Sequence, residues 1–302
     1  MLVAGSTVTR GIVLAVAGCV CWGFSAACVQ LVTGDSGCAA PVEWAVCVRL
    51  ITAGALLLAV CLAVPKFRAQ LHGLLSSRKS VAMLLAYAVV GLLFNQLAYL
   101  SAIRFTNAGT GTLLENVGTA LILVVSCVMT RKLPSARNVV GLVLAMTGVL
   151  LLATKGNLET LAIGQDGLLW GLLAAVSMVT YTMMPETLVK EWGSVAVNAV
   201  GLLTAGVLAC AIWRPWTYGV QVSAPLVGGM AGLVLVGTVA AFLLYLQGVA
   251  DAGPVRVGML ACVEPLSAMV IAAVWLGTQV GLADAAGCAC IVAMVFLVSR
   301  KE

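Results

Sequence analysis

The sequence predicts an all-α integral membrane protein, with ten transmembrane helices arranged as an inverted repeat of two five-helix halves. Three observations carry that prediction. The chain is 62% apolar and only 9% charged, with a mean hydropathy of +1.13, whereas a soluble domain carries about 25% charged residues. Its Lys and Arg residues gather in alternate connections between the apolar stretches. Its second half repeats its first at one gapless offset of 146, so that Tyr99-Leu100 recurs as Tyr245-Leu246, Gly91 as Gly237, Gly141 as Gly287 and Lys155 as Lys301.

About ten stretches reach the roughly 20 residues needed to cross about 30 Å of hydrocarbon. They are α1 (11–32), α2 (41–64), α3 (79–102), α4 (107–129), α5 (136–154), α6 (167–189), α7 (194–213), α8 (225–249), α9 (254–275) and α10 (281–299). Prolines punctuate them: Pro41 opens α2 and Pro65 follows it, Pro134 separates α4 from α5, Pro215 follows α7, and Pro225 and Pro254 open α8 and α9. The connections are too short to hold a soluble domain. Residues 1–155 form the first repeat (α1–α5) and residues 165–302 the second (α6–α10). Within α1, Val16-Ala17-Gly18-Cys19 has the form of a lipoprotein cleavage box after Arg10. Because α1 has a repeat partner and further spans follow, it reads as a retained helix.

Orientation follows from the basic residues, which accumulate on the cytoplasmic side. With the N-terminus inside, the inner segments hold twelve of them: Arg10, Lys66, Arg68, Arg78, Lys79, Arg131, Lys132, Arg137, Lys190, Arg256, Arg300 and Lys301. The outer segments hold only Arg104, Lys155 and Arg214. A unit with an odd number of helices leaves its twin upside down, the arrangement of alternating-access transporters. Accordingly the turn from Arg131 to Arg137 is basic, and its mate from Gly277 to Ala283 has no basic residue. The chain is thus placed as a multi-pass protein of a bacterial cytoplasmic (inner) membrane with both termini cytoplasmic. Its pI near 8.7 reflects that topology rather than a nucleic-acid partner, which would call for a basic patch on a folded face.

Ten of the eleven cysteines lie in predicted spans, with Cys38 in an outer connection. Cys19 and Cys21, like Cys288 and Cys290, are spaced i, i+2 and point to different helix faces, which suits neither a metal site nor a bridge. They read as small apolar side chains.

A charge at mid-bilayer costs on the order of 2.5 to 3.5 kcal/mol on insertion scales, so intramembrane charges mark function. Glu115 lies near the middle of α4, Glu264 near the middle of α9, and Arg49 in the outer half of α2. At the 146 offset Glu115 corresponds to Ala261 and Gly118 to Glu264, so the carboxylates sit one turn apart on equivalent helices and are expected to face one cavity. Thr112, Asn116 and Thr119 form a polar stripe around Glu115. Pro265 withdraws a backbone donor and frees carbonyls one turn back, tolerated at depth only inside protein or against a cavity; Ser267 follows it. Trp22, Ser25, Asn95, Gln96, Tyr99, Ser177, Thr180, Tyr181 and Tyr245 are candidates for the walls. Buried Ser, Thr and Asn commonly join helices without touching substrate, and a Glu can serve as a protonated link. Arg49 suits a clamp for a substrate carboxylate, a partner neutralising Glu115, or a side chain snorkelling outward. The Gly167/Gly171 and Gly228/Gly232 pairs have the GxxxG spacing of tight helix packing.

The chain has one histidine, His72, in a predicted cytoplasmic connection. That excludes zinc proteases built on HExxH and His-dependent serine hydrolases, and no Walker A loop is present. No catalytic residue, metal or cofactor is expected, and the chain is not read as an enzyme.

Four short pieces then become recognisable: Cys21-Trp22-Gly23-Phe24, Val48-Arg49-Leu50, Ala98-Tyr99-Leu100-Ser101-Ala102 and Val263-Glu264-Pro265-Leu266. In their order and spacing, over nearly the whole length and in two copies, the sequence resembles the EamA-type transporters of the drug/metabolite transporter superfamily. The resemblance implies a central cavity lined mainly by α1, α3, α4, α6, α8 and α9, and export of amino acids or other small metabolites. The chain departs from the family pattern in lacking the proline often found in α4, where Glu115-Asn116-Val117-Gly118 stands, and in carrying Arg131 and Thr278 where an acidic residue often closes α4 and α9.

The resulting expectation is a secondary active transporter that moves a small polar metabolite outward by alternating access, with Glu115 or Glu264 binding a substrate ammonium or exchanging a coupling proton. Alternatives are an exporter of lipophilic cations, binding them through Glu115 and the aromatic residues, and a passive channel.

Overall fold

In a bilayer an apolar helix satisfies its own backbone groups, so hydropathy translates directly into helices. The computed structural model of the chain describes residues 2–33, 38–106, 108–160, 164–276 and 281–299, and among them there are ten helices long and apolar enough to cross a membrane and no strands. They are α1 (Thr7–Thr33), α2 (Val42–Ala63), α3 (Arg78–Ala102), α4 (Thr110–Thr130), α5 (Ala136–Thr154), α6 (Gln165–Trp192), α7 (Ser194–Trp213) and α8 (Ala224–Ala252), then α9 in two pieces and α10 (Leu282–Ser299). The pieces of α9 are Pro254–Leu260 and Val263–Leu276. Its break falls one turn before Pro265, where the missing proline donor was expected to free carbonyls. Serines cap three starts, the side chains of Ser77, Ser135 and Ser223 accepting from the backbone N–H of Ser80, Asn138 and Leu226. Residues 277–280, Arg300 and Lys301, which entered the charge argument, lie outside the described residues.

One helix was not anticipated. Pro65–Ser76, read as a loop, is helical. Leu71 and Leu74 bury one face while Lys66, Arg68 and His72 are exposed on the other. Twelve residues are too few to span a bilayer, so a search for long apolar stretches passes over it.

The packing has twofold symmetry. In the first half α1 packs against α8 and α9, and in the second its mate α6 packs against α3 and α4; α2 lies against α7 and α5 against α10. Exchanging the halves maps these helix pairings onto themselves. One contact marks the axis. Cys262 donates to Asn116 Oδ1 at 3.3 Å, and these residues stand 146 apart, at equivalent positions of α9 and α4. Away from the axis α5 and α10 approach closely, since a β-carbon added at Gly148 would lie 2.9 Å from Gly287 O and one at Gly287 would lie 2.9 Å from Gly148 O.

The symmetry extends to a local irregularity. A π-helical turn interrupts α3 at Tyr87–Leu93 and α8 at Leu235–Ala240, each containing one of the repeat-mate glycines, Gly91 and Gly237. Such turns often mark functional positions. At Gly237 a β-carbon would lie 2.4 Å from Ser25 Oγ of α1, and at Gly91 3.2 Å from Tyr181 Cα of α6. Of the GxxxG pairs, Gly167 and Gly171 pack closely on Thr106 and Leu114 and Gly232 on Cys28, whereas Gly228 faces open space.

Among the described glycines the closest approach to another backbone joins the halves. A β-carbon at Gly54 would lie 2.4 Å from Leu203 N and 2.6 Å from Leu203 Cα. Backbone cannot rotate aside, so Gly54→Val is expected to destabilise the protein by about 3 kcal/mol, read as a lowered midpoint in a thermal melt of the purified protein. An unchanged midpoint would show that α2 and α7 are free to part.

Candidate functional site

Polar residues within apolar helices gather where they can meet water or one another. A cavity of about 520 Å³ opens between the halves, lined by α1, α2, α3, α4, α6, α8 and α9. Nine of the fifteen candidates named from the sequence line it: Trp22, Ser25, Arg49, Asn95, Gln96, Tyr99, Glu115, Tyr181 and Glu264. Val29 and Thr33 of α1, Val42 and Ala45 of α2 and Leu100 of α3 extend the walls toward the connection at 34–41. The cavity is therefore directed to that end of the bundle.

The opposite end is closed in layers. Trp22 packs against Tyr245, Phe242 and Tyr181 with ring centroids 4.8, 5.4 and 6.4 Å away. Behind them Tyr245 and the buried Thr182 share a hydroxyl hydrogen bond of 3.2 Å. Nearest the end, Arg10 pairs with Asp251 at 2.8 Å, tying α1 to α8, and Trp192 Nε1 donates to Ser80 Oγ at 3.1 Å, tying α6 to α3. These two ties join repeat-equivalent helix pairs. Because Arg10 is 62% exposed, water screens its pair and the tie is a weak one. Asp251→Asn is expected to raise hydrogen exchange at this end of α1 and α8 by up to about fivefold, measured by mass spectrometry on the intact protein; no change would make the pair incidental.

Within the cavity the charged groups are held unequally. Asn95 Nδ2 donates to Glu115 Oε1 at 2.9 Å and to Ser177 Oγ at 3.1 Å. Arg49 Nη2 donates to Gln96 Oε1 at 2.6 Å, while Arg49 Nε is buried without a partner. Thus Arg49 neither pairs with Glu115 nor snorkels free: a neutral amide holds it. Among the described residues the Glu264 carboxylate has no hydrogen-bond partner, though it lies within Coulombic reach of Arg49 and Glu115. It is held at the wall by the helix that resumes at Val263 after the break in α9.

Six of the candidates do not line the cavity, among them Thr180, which donates to Ser177 O at 2.8 Å and Val90 O at 3.2 Å. Asn116 donates to Thr112 O and accepts from Cys262, Thr119 donates to Gly258 O of α9 at 3.2 Å, and Thr112 shares a 2.9 Å hydrogen bond with Tyr99. The stripe on α4 therefore turns its hydroxyl and amide groups to neighbouring helices, and only Glu115 reaches the opening. Ser177 and Tyr245 stand one layer behind, orienting Asn95 and closing the end. Sequence reading passed over Phe242 and Thr182 because nothing separates them from ordinary apolar and hydroxyl residues; the recurrence of Gly91 as Gly237 was the available pointer to the walls, and both line the cavity.

Comparison with known proteins bears on the family and the fold. The model of the EamA-like transporter family matches residues 9–154 and again residues 165–300. The chain belongs to the EamA-like transporter family. This EamA-like transporter is 28% identical over 295 residues to an uncharacterized inner membrane transporter of Salmonella typhimurium, YicL, covering 98% of this chain and 96% of the relative. It is 25% identical over 165 residues to an uncharacterized transporter of Bacillus subtilis, YcbK, covering 52% and 53%. One crystal structure superposes on the transporter with a TM-score of 0.78 at 17% identity over 95% of both chains, a likeness of fold.

Proposed function

We propose that this chain is a secondary active transporter that exports amino acids or other small polar metabolites across the cytoplasmic membrane by alternating access. The observation that carries the reading is that two charged side chains line one cavity, Arg49, whose buried Nε–H has no acceptor, and Glu264, whose carboxylate has no hydrogen-bond donor, each among the described residues. A zwitterion supplies both missing partners, its carboxylate to Arg49 and its ammonium to Glu264, and a buried charge pair of this kind is favourable only when each group is hydrogen-bonded. With both termini cytoplasmic, as the distribution of basic residues supports, the cavity is directed outward and the layered end faces the cytoplasm. A proton and a substrate ammonium then compete for one carboxylate, which gives a route to coupling.

The second reading, export of lipophilic cations, draws on the aromatic rings of Trp22, Tyr181 and Phe242 beside Glu115 and Glu264, since such rings attract cations. Counterflow in proteoliposomes decides between them. The proposed function expects saturable, trans-stimulated exchange of a labelled neutral amino acid; exchange of a lipophilic cation with none of the amino acid would favour the second reading, and unsaturable flux without exchange would indicate a channel.

A further inference from the structure

The helices α2 and α7 run antiparallel in one constant register. The backbone approaches of Gly54 to Leu203 and of Gly206 to Ile51, where a β-carbon at Gly206 would lie 2.7 Å from Ile51 N, pair residues whose numbers add to 257 in both cases. One turn nearer the 34–41 end, the same register pairs Cys47 with Cys210. Their side chains are close enough to interact electrostatically. With only hydrogen at 54 and 206 between the two helices, the flanking backbones are drawn together, as a disulfide requires, since it spans a Cα separation of about 4.4 to 6.8 Å. Both are free thiols, Cys47 buried and Cys210 half-buried, so the partner that an oxidant meets first is Cys210.

We propose that Cys47 and Cys210 are a disulfide-forming pair that covalently joins the two halves of the transporter. In exchange with an oxidised dithiol oxidant, the Cys210 thiolate attacks a sulfur of the oxidant's disulfide and releases one oxidant thiol. The Cys47 thiolate then attacks Cys210 Sγ of the mixed disulfide and releases the second. One S–S bond forms and one breaks, two protons leave the protein, and its two electrons reside on the reduced oxidant. That the pair meets such an oxidant in the cell rests on the orientation proposed above, which puts the 34–41 end on the outer, oxidising side.

The purified full-length protein is treated with copper(II)-phenanthroline in air, its remaining thiols are blocked with N-ethylmaleimide, and it is digested without reductant for mass spectrometry. The expected result is a linked pair of peptides carrying Cys47 and Cys210, lighter than their sum by two hydrogens, lost on reduction and absent from Cys47→Ser and from Cys210→Ser. Recovery of both residues as maleimide adducts in the wild type, or of Cys210 linked to a different cysteine, would overturn the proposal without reference to any variant. Repeating the oxidation with a membrane-impermeant disulfide on right-side-out and inverted vesicles separates the two readings: a bond formed only in inverted vesicles keeps the pair and refutes the orientation.

Discussion

Replacing Glu264 by Gln is expected to reduce kcat/KM for a substrate bearing an ammonium by about 100-fold or more, a loss on the order of 3 kcal/mol. The side chain is the one cavity carboxylate with no hydrogen-bond donor among the described residues, and it sits within Coulombic reach of both Arg49 and Glu115. Gln has nearly the same volume, so the cavity and the fold persist and the effect is read as charge alone. The pH dependence should change with it. A proton on Glu264 removes the charge that holds an ammonium, so wild-type substrate affinity falls as the pH drops through the titration of that carboxylate, whereas the Gln variant follows a flat profile. The measurement is initial transport into proteoliposomes across a pH series for both proteins. Full activity of Glu264→Gln with an unaltered profile would remove Glu264 from the mechanism.

The second large effect is expected from Arg49→Lys. The guanidinium does two things at once: Nη2 holds Gln96 at 2.6 Å, and Nε remains buried and unpaired. An ammonium on a flexible stem lacks that fixed fork, so Lys keeps the charge without the geometry. KM for a carboxylate-bearing substrate should rise by about 10 to 100-fold with a smaller change in kcat, because the substitution weakens ground-state binding of the carboxylate. An ammonium compound of similar size without a carboxylate is expected to be transported as before. Equal losses for both compounds would assign Arg49 a structural role through Gln96, and would leave the zwitterion reading without its anionic anchor.

How much of the site is legible before folding depends on the residue. Glu115, Glu264 and Arg49 stand out because an ionisable group within a span is costly, and all three line one cavity. The polar neighbours are less legible. Thr112, Asn116 and Thr119 share a helical stripe with Glu115, yet they bond to Tyr99, to the α4 backbone and to α9. A hydroxyl inside a membrane helix can satisfy itself on its own backbone or on a neighbour at little cost, so its presence does not say which way it is employed. The π-helical turns at Tyr87–Leu93 and Leu235–Ala240 add to the difficulty, since each rotates the residues beyond it relative to those before and so alters which faces of α3 and α8 meet the cavity. Only the recurrence of a glycine in both turns hinted at them.

Hydropathy was sufficient for the ten spans, because each span must satisfy its own backbone within the bilayer and needs no knowledge of its neighbours; the repeat at an offset of 146 supplied the five-plus-five division, and four short motifs the family resemblance. The tertiary structure alone decided the rest: that α1 meets α8 while α6 meets α3, that Arg49 is held by Gln96 rather than by a carboxylate, that one end is closed by aromatic rings and the other open, and that Cys47 faces Cys210. These are properties of helix rotation and register. Between apolar helices in lipid they are set by close packing around small residues such as Gly54 and Gly206 and by single interhelical hydrogen bonds, and both depend on side chains far apart in the chain.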